Sequence, residues 1–236
     1  SGASGDATPQ RIGNAGADDV LVREHRHGDG MRRVHWRMSA KRGELMVRLE
    51  EQPWDPAMTI IVDTRSTAHI GSGPESTLEW VLSLCASVAT ELLRDRLRVA
   101  LLGSDGVIFR PVNGESTGAA SRLLATVTDV EPSGRSLLED CLADPDALGT
   151  ARTVVAGLGL LRPRDAAALV AATTRVADID ALVPDARAFR LPAEIVGAHE
   201  EACRLLTTSG WNMVTFGPDN SVPQAWSRLV AQREAR

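Results

Sequence analysis

A short polar run after an apolar segment holds the side chains whose types and spacing best suit chemistry. Asp63, Arg65 and Thr67 follow the nearly continuous apolar run of residues 58–62, which is typical of a strand covered on both faces. Ligands of open α/β sheets bind beyond the carboxyl ends of the strands, and Mg²⁺ prefers oxygen ligands of this kind. Arg65 adds a permanent cation that can pair with Asp63 and occupy a metal position. We expect an ion-paired aspartate without a cofactor, with Mg²⁺ at Asp63 as the alternative.

A basic segment over residues 22–48 is the second distinctive feature, because the formal net charge of the whole chain is −5. Asp29 is placed to cap a helix over residues 31–42, which Gly43 ends. Trp36 stands among arginines, a combination typical of partner surfaces and of cation–π stacking. We interpret the segment as a recognition surface, although a solvated helix would explain each arginine by itself. The candidate binding residues are Arg23, Asp29, Arg32, Arg33, His35, Trp36, Arg37, Lys41 and Arg42.

The elements that must position these residues follow an alternating pattern. Helical periodicity covers residues 31–42, 75–93, 117–129, 135–143, 163–173, 193–209 and 222–234, and strand patterns cover residues 20–22, 44–50, 58–63, 98–112 (two antiparallel strands with a turn), 153–161, 176–183 and 211–216. Such alternation predicts an α/β fold with a doubly wound, mainly parallel sheet. We expect a flexible linker at 1–18, a basic strand–helix–strand appendage at 19–56 that packs on the core, and the α/β domain at 57–236.

Composition narrows the functional classes. A pI near 5.6 argues against general nucleic-acid affinity, although a local basic patch can still bind an anionic surface. Cys85, Cys141 and Cys203 are odd in number and widely spaced, so they do not form a disulfide framework, and a reduced, cytoplasmic setting is the simplest interpretation. No apolar stretch approaches the ~20 residues that span a bilayer, so an anchor would lie outside this fragment.

The polar run resembles the metal site of a von Willebrand factor A domain, which begins with Asp-x-Ser-x-Ser after the first strand. Asp63 matches the aspartate, Thr67 fits the last hydroxyl, and Arg65 stands in place of the middle serine. Ser136 replaces the hydroxyl of the Gly-Gly-Thr segment of those domains. Their second acidic residue follows the next central strand, whereas here the nearest acid, Asp165, comes several residues late. The resemblance therefore implies a degenerate metal site.

The basic segment carries a second resemblance. Its residues Arg23, Gly28, Asp29, Arg32, Val34, Trp36, Ser39 and Ala40, with the return over 43–48, are similar to the signature of the domain of unknown function 58 family. The resemblance spans about residues 21–217. It implies the cytoplasmic domain of a membrane-anchored bacterial protein that works with a MoxR-type AAA+ ATPase.

These observations together predict a non-enzymatic interaction or adaptor module, because no general base with an orienting group is evident. Nucleic-acid or anionic-surface binding through residues 23–48 is the first alternative. Divalent-metal-dependent ligand binding at Asp63 is the second.

Overall fold

The computed structural model describes residues 22–24, 34, 36–48, 58–110, 118–136, 138, 142, 148 and 151–235. The chain divides into two compact units, Ser1–Trp54 and Asp55–Arg236.

The smaller unit contains a strand, a helix and a strand. They are β1 (Val22–Glu24), α1 (Trp36–Arg42) and β2 (Met46–Arg48), and the two strands pair antiparallel. The buried Ser39 hydroxyl accepts a hydrogen bond from the backbone N–H of Met46 at 2.8 Å, which ties the helix to the second strand. Gly43 has a φ of 76°, a left-handed conformation that glycine adopts readily and that commonly ends a helix.

The helix of this unit differs from its sequence prediction. It begins at Trp36, whereas the periodicity predicted helix from residue 31. Val34 is a buried β-bridge residue and not a helical one. Val34, one of the apolar residues that suggested a helical face, therefore lies outside the helix. Whether the appendage packs on the larger domain stays a prediction.

The larger unit is a six-stranded α/β domain. Its strands are β3 (Met58–Val62), β4 (Val99–Gly103), β5 (Gly106–Phe109), β6 (Thr153–Gly157), β7 (Asp178–Pro184) and β8 (Asn212–Phe216), and its α-helices are α2 (Thr77–Arg94), α3 (Ala119–Thr128), α4 (Pro163–Ala172), α5 (Ala193–Thr208) and α6 (Val222–Glu234). The strand order is β5-β4-β3-β6-β7-β8, with every pair parallel except β4 and β5. This arrangement confirms the predicted doubly wound, mainly parallel sheet.

The sheet is covered on both faces, and for this reason its central strands are mostly apolar. One buried cluster contains Ile60 and Val62 of β3 together with residues of α2, α3 and α6. The opposite cluster contains Ile61 of the same strand together with residues of α4 and α5. Alternate residues of β3 thus face opposite layers, as the period of two in a strand requires.

Two boundaries differ from the sequence prediction. The strand pattern over 153–161 is a strand only to Gly157, because the chain then turns into the loop that leads to α4. The helix predicted at 135–143 falls largely outside the described residues. Of those described, residues 135, 136 and 138 are not helical and residue 142 is. Among the helices that the structure describes, none is long and apolar enough to cross a membrane.

Candidate functional site

The candidate site lies where the strand order of the sheet reverses. β3 and β6 are neighbours at the centre, and the chain runs outward from them in opposite directions. In doubly wound sheets the crevice at the carboxyl ends of two such strands is the usual ligand position. Asp63 directly follows β3 and Gly159 comes shortly after β6. The backbone N–H of Asp63 donates to the carbonyl oxygen of Gly157 at 2.9 Å, so the two strand ends are held together.

Asp63 and Arg65 form a buried, bidentate ion pair at this position. The Arg65 Nε donates to Asp63 Oδ1 at 2.8 Å, and a terminal guanidinium nitrogen donates to Oδ2 at 2.7 Å. The backbone N–H groups of Arg65 and Gly159 also donate to this carboxylate, each at 3.2 Å. A carboxylate offers about four lone-pair positions, and these four donors use them. The Asp63 side chain is 0% exposed and that of Arg65 is 3% exposed, so the pair is closed to solvent.

Asp165 completes the arrangement from the other side of the guanidinium. Its Oδ1 accepts a hydrogen bond at 2.8 Å from the second terminal nitrogen of Arg65, and the Asp165 side chain is 2% exposed. Its Oδ2 accepts from the backbone N–H of Arg162 at the start of α4, also at 2.8 Å. The sequence places Asp165 several residues late for the second acidic residue of the metal site, and the structure nevertheless brings it to Arg65. The loop after β6 is compact enough to return the first turn of α4 to the end of β3.

The electrostatics of Arg65 follow from its partners. Burial alone disfavours a charged guanidinium, but the hydrogen bonds and charges of Asp63 and Asp165 outweigh burial and raise the pKa of Arg65 above its ordinary value. We refer to Asp63, Arg65 and Asp165 as the buried triad. With both aspartates ionised, it holds two negative charges against one fixed positive charge.

His69 contacts the triad through the backbone. Its Nε2 lies 2.5 Å from the carbonyl oxygen of Asp63, so this nitrogen carries the proton, and its Nδ1 accepts from the Thr77 hydroxyl at 3.1 Å. Burial lowers the pKa of His69, and the nearby charge of Asp63 opposes that shift only in part. A neutral ring with both nitrogens engaged positions the loop after β3 and is not available as a base.

The two residues predicted to supply hydroxyl groups to the metal site, Thr67 and Ser136, do not donate to Asp63. Thr67 and Ser136 are both exposed, and the four donors to Asp63 include no hydroxyl. The segment that carries Ser136 does lie beside the end of β3, since Ser133 N–H donates to the carbonyl oxygen of Thr64 at 2.7 Å. The site therefore does not fit a divalent cation, because Arg65 occupies the space between the two carboxylates. In the described part of the chain, no group of three or more histidine, cysteine or acidic side chains is placed to hold a metal.

A second, partly buried pair of side chains resembles a catalytic pair at first inspection. Cys203 Sγ lies 3.6 Å from His199 Nε2 on α5. The backbone N–H of Leu161 donates to His199 Nδ1 at 3.0 Å, so the proton is on Nε2, which donates to the carbonyl oxygen of Pro184 at 2.9 Å. Burial raises the pKa of Cys203 to about 12. This thiol is protonated at neutral pH, and the imidazole is not oriented to activate it.

The basic segment is described only in part. Trp36, Arg37, Lys41 and Arg42 of α1 are exposed, and Trp36 is 62% exposed, the largest value among the large apolar side chains that the structure describes. Arg23 lies in β1. The other candidate binding residues, Asp29, Arg32, Arg33 and His35, lie outside the described residues.

Sequence reasoning did not identify two residues of the site as contributors, Asp165 and His69. Asp165 had a local signal, since it is the third residue of a helix that begins with Pro163, a position favourable for an acidic residue. That signal predicts a helix start and does not predict the distant partner Arg65. His69 had no signal beyond its position a few residues after Asp63.

Comparison with known families gives a match over most of the chain. A family model described as "Protein of unknown function DUF58" matches residues 21–200, which include the basic segment and the domain as far as α5. No curated protein matches the chain.

Proposed function

This chain belongs to the DUF58 family of proteins of unknown function, and on that premise we propose that it is a non-enzymatic protein–protein interaction module. The proposed partner is a MoxR-type AAA+ ATPase, and the proposed setting is the cytoplasmic face of a bacterial membrane. Both follow from the family resemblance of the basic segment. The single observation that carries the interaction role is the exposure of Trp36 on the basic helix α1.

An exposed tryptophan needs an explanation because burying its large ring is favourable. Tryptophan and arginine are enriched among the residues that dominate binding energy at protein interfaces. Trp36 is followed in α1 by the exposed basic residues Arg37, Lys41 and Arg42. A surface of this kind suits a partner patch that offers an apolar pocket surrounded by carboxylates.

The α/β domain supports a non-enzymatic role in a second way. The crevice where doubly wound sheets usually bind small ligands is filled by the side chain of Arg65. His69 and His199 use both ring nitrogens in hydrogen bonds to the fold. Among the described residues, these groups act as structural supports and leave recognition to the surface.

The test is direct binding between the purified 236-residue chain and a purified MoxR-type ATPase in its ATP, ADP and nucleotide-free states. Trp36→Ala is expected to raise Kd about 30-fold or more, which corresponds to the ~2 kcal/mol of an interface hot spot. Leu205→Ala is the matched control, since Leu205 is also apolar and is 41% exposed on α5. That variant is expected to bind as the unmodified chain does.

Three outcomes would contradict parts of this proposal. Absence of binding in every nucleotide state would reject the ATPase as partner. Equal affinities for Trp36→Ala and the unmodified chain would reject α1 as the surface. Retention of DNA or RNA at physiological salt, weakening steeply above it, would favour the nucleic-acid alternative.

A further inference from the structure

We propose that Arg65 is a built-in replacement for a divalent cation, and that removing its guanidinium exposes a latent Mg²⁺ or Mn²⁺ site between Asp63 and Asp165. The domain itself then needs no divalent cation to fold. This inference concerns the α/β domain alone and is independent of the partner proposed above.

The first step is the charge balance of a buried space. Asp63 and Asp165 flank the same Arg65 guanidinium, and neither aspartate side chain is more than 2% exposed. Two ionised carboxylates in such a space require a positive charge, because an unpaired buried charge is strongly unfavourable. Arg65 supplies one positive charge through a covalent tether, and the arginine cannot deprotonate under physiological conditions.

The second step is the geometry of the guanidinium. Two of its nitrogens face Asp63, at 2.8 and 2.7 Å, and the third faces Asp165, at 2.8 Å. The planar group therefore lies between the two carboxylates and bonds to both. In the intact chain the acceptor positions of Asp63 are used, so an ion has no place to enter without displacing Arg65.

The third step concerns what would remain after the guanidinium is removed. Backbone N–H groups hold both carboxylates independently of the Arg65 side chain. Asp63 accepts from the backbone N–H groups of Arg65 and Gly159, each at 3.2 Å, and Asp165 accepts from that of Arg162 at 2.8 Å. In Arg65→Ser, the two carboxylates thus keep their orientation around a space lined by oxygens. Two carboxylates completed by water or hydroxyl oxygens are a ligand set that Mg²⁺ and Mn²⁺ accept.

The experiment compares Mn²⁺ binding by the full chain and its variants, using electron paramagnetic resonance of free Mn²⁺ and thermal melting. The unmodified chain is expected to show no saturable binding and no change in Tm. Arg65→Ser is expected to bind about one Mn²⁺ per chain. Its Tm is expected to rise by about 5 to 10 °C at an Mn²⁺ concentration one hundred times Kd. The double variant Arg65→Ser with Asp165→Asn is expected to lose both effects.

The matched control is Arg187→Ser, since Arg187 also bonds a carboxylate through two nitrogens but lies at the surface with Glu200. It is expected to gain no Mn²⁺ binding. Saturable Mn²⁺ binding by the unmodified chain that Asp63→Asn abolishes would overturn the proposal. So would an Arg65→Ser chain that folds without gaining a site, or one that stays unfolded even with Mn²⁺ present. An Arg65→Ser chain that folds only with Mn²⁺ would support it.

Discussion

Replacing Arg65 by methionine isolates the energetic role of the buried triad. Methionine keeps much of the length and apolar packing of the arginine stem but removes the charge and the three hydrogen bonds that the guanidinium donates. Two carboxylates with at most 2% exposure then lose their cation. Breaking a buried pair by removing one partner costs about 3–5 kcal/mol. A Coulomb energy of about 4 kcal/mol for charges ~4 Å apart at an effective dielectric constant of 20 agrees with that range. At about 2–4 °C per kcal/mol for a domain of this size, Tm should fall by roughly 6 to 20 °C.

The assay is thermal unfolding and urea unfolding in the presence of EDTA, each followed by tryptophan fluorescence. Trp211 is 1% exposed, and Trp80 stacks on Phe216 with ring centroids 3.7 Å apart, so unfolding of the larger unit changes their environment. Arg187→Met is the control because its ion pair with Glu200 is exposed. It is expected to leave the midpoint unchanged, since exposed pairs contribute little.

The reasoning would be refuted by a simple result. If Arg65→Met shifts the urea midpoint no more than Arg187→Met does, the triad does not carry the stability assigned to it. A second check is the combination of Arg65→Met with Asp63→Asn. Removing both charges is expected to cost less than the sum of the single changes, because the second change relieves an unpaired carboxylate. Strict additivity of the two changes would contradict the coupling.

Three further predictions concern the structure around the site. Gly159→Ala places a Cβ 2.5 Å from the backbone carbonyl oxygen of Ala68 and is expected to lower the free energy of unfolding in urea by about 1–3 kcal/mol or more. Gly134→Ala is the control, because its Cβ meets no atom within 4 Å. It should change the free energy of unfolding by no more than about 0.5 kcal/mol. Burial raises the pKa of Cys85 and Cys203 to about 12. Iodoacetamide at pH 8 should therefore label both thiols only after denaturation. Peptide mass spectrometry that finds either cysteine labelled in the native protein would contradict this. Burial lowers the pKa of His199 below its ordinary value, so the unfolded chain takes up this proton first as pH falls. The contribution of His199 to the free energy of unfolding is then retained above about pH 6.5 and lost below it, by up to about 1.4 kcal/mol per pH unit. If the stability of the variant His199→Gln declined equally steeply, the assignment to His199 would be disproved.

The alternation of apolar runs and amphipathic helices was enough to predict the α/β class, the parallel core and the antiparallel pair β4–β5. These features depend on local periodicity and on general rules of chain connection. The Asp63–Arg65 pair was also predictable, since the two residues are two positions apart after a strand. The helix over 31–42 was predicted too long, because the spacing of a few apolar residues indicates a helix without placing its first residue.

The amino-acid sequence by itself determined the family, the strand after which the site lies and the presence of a cation beside its carboxylate. Only the tertiary structure decided what that cation does. Arg65 and Asp165 are 100 residues apart, and their contact depends on β6 lying next to β3 and on the loop that brings α4 to the end of β3. The exposure of Thr67 and Ser136 is decided in the same way. Burial and long-range charge pairing arise when distant segments pack together, and a local sequence pattern contains no distance between such segments.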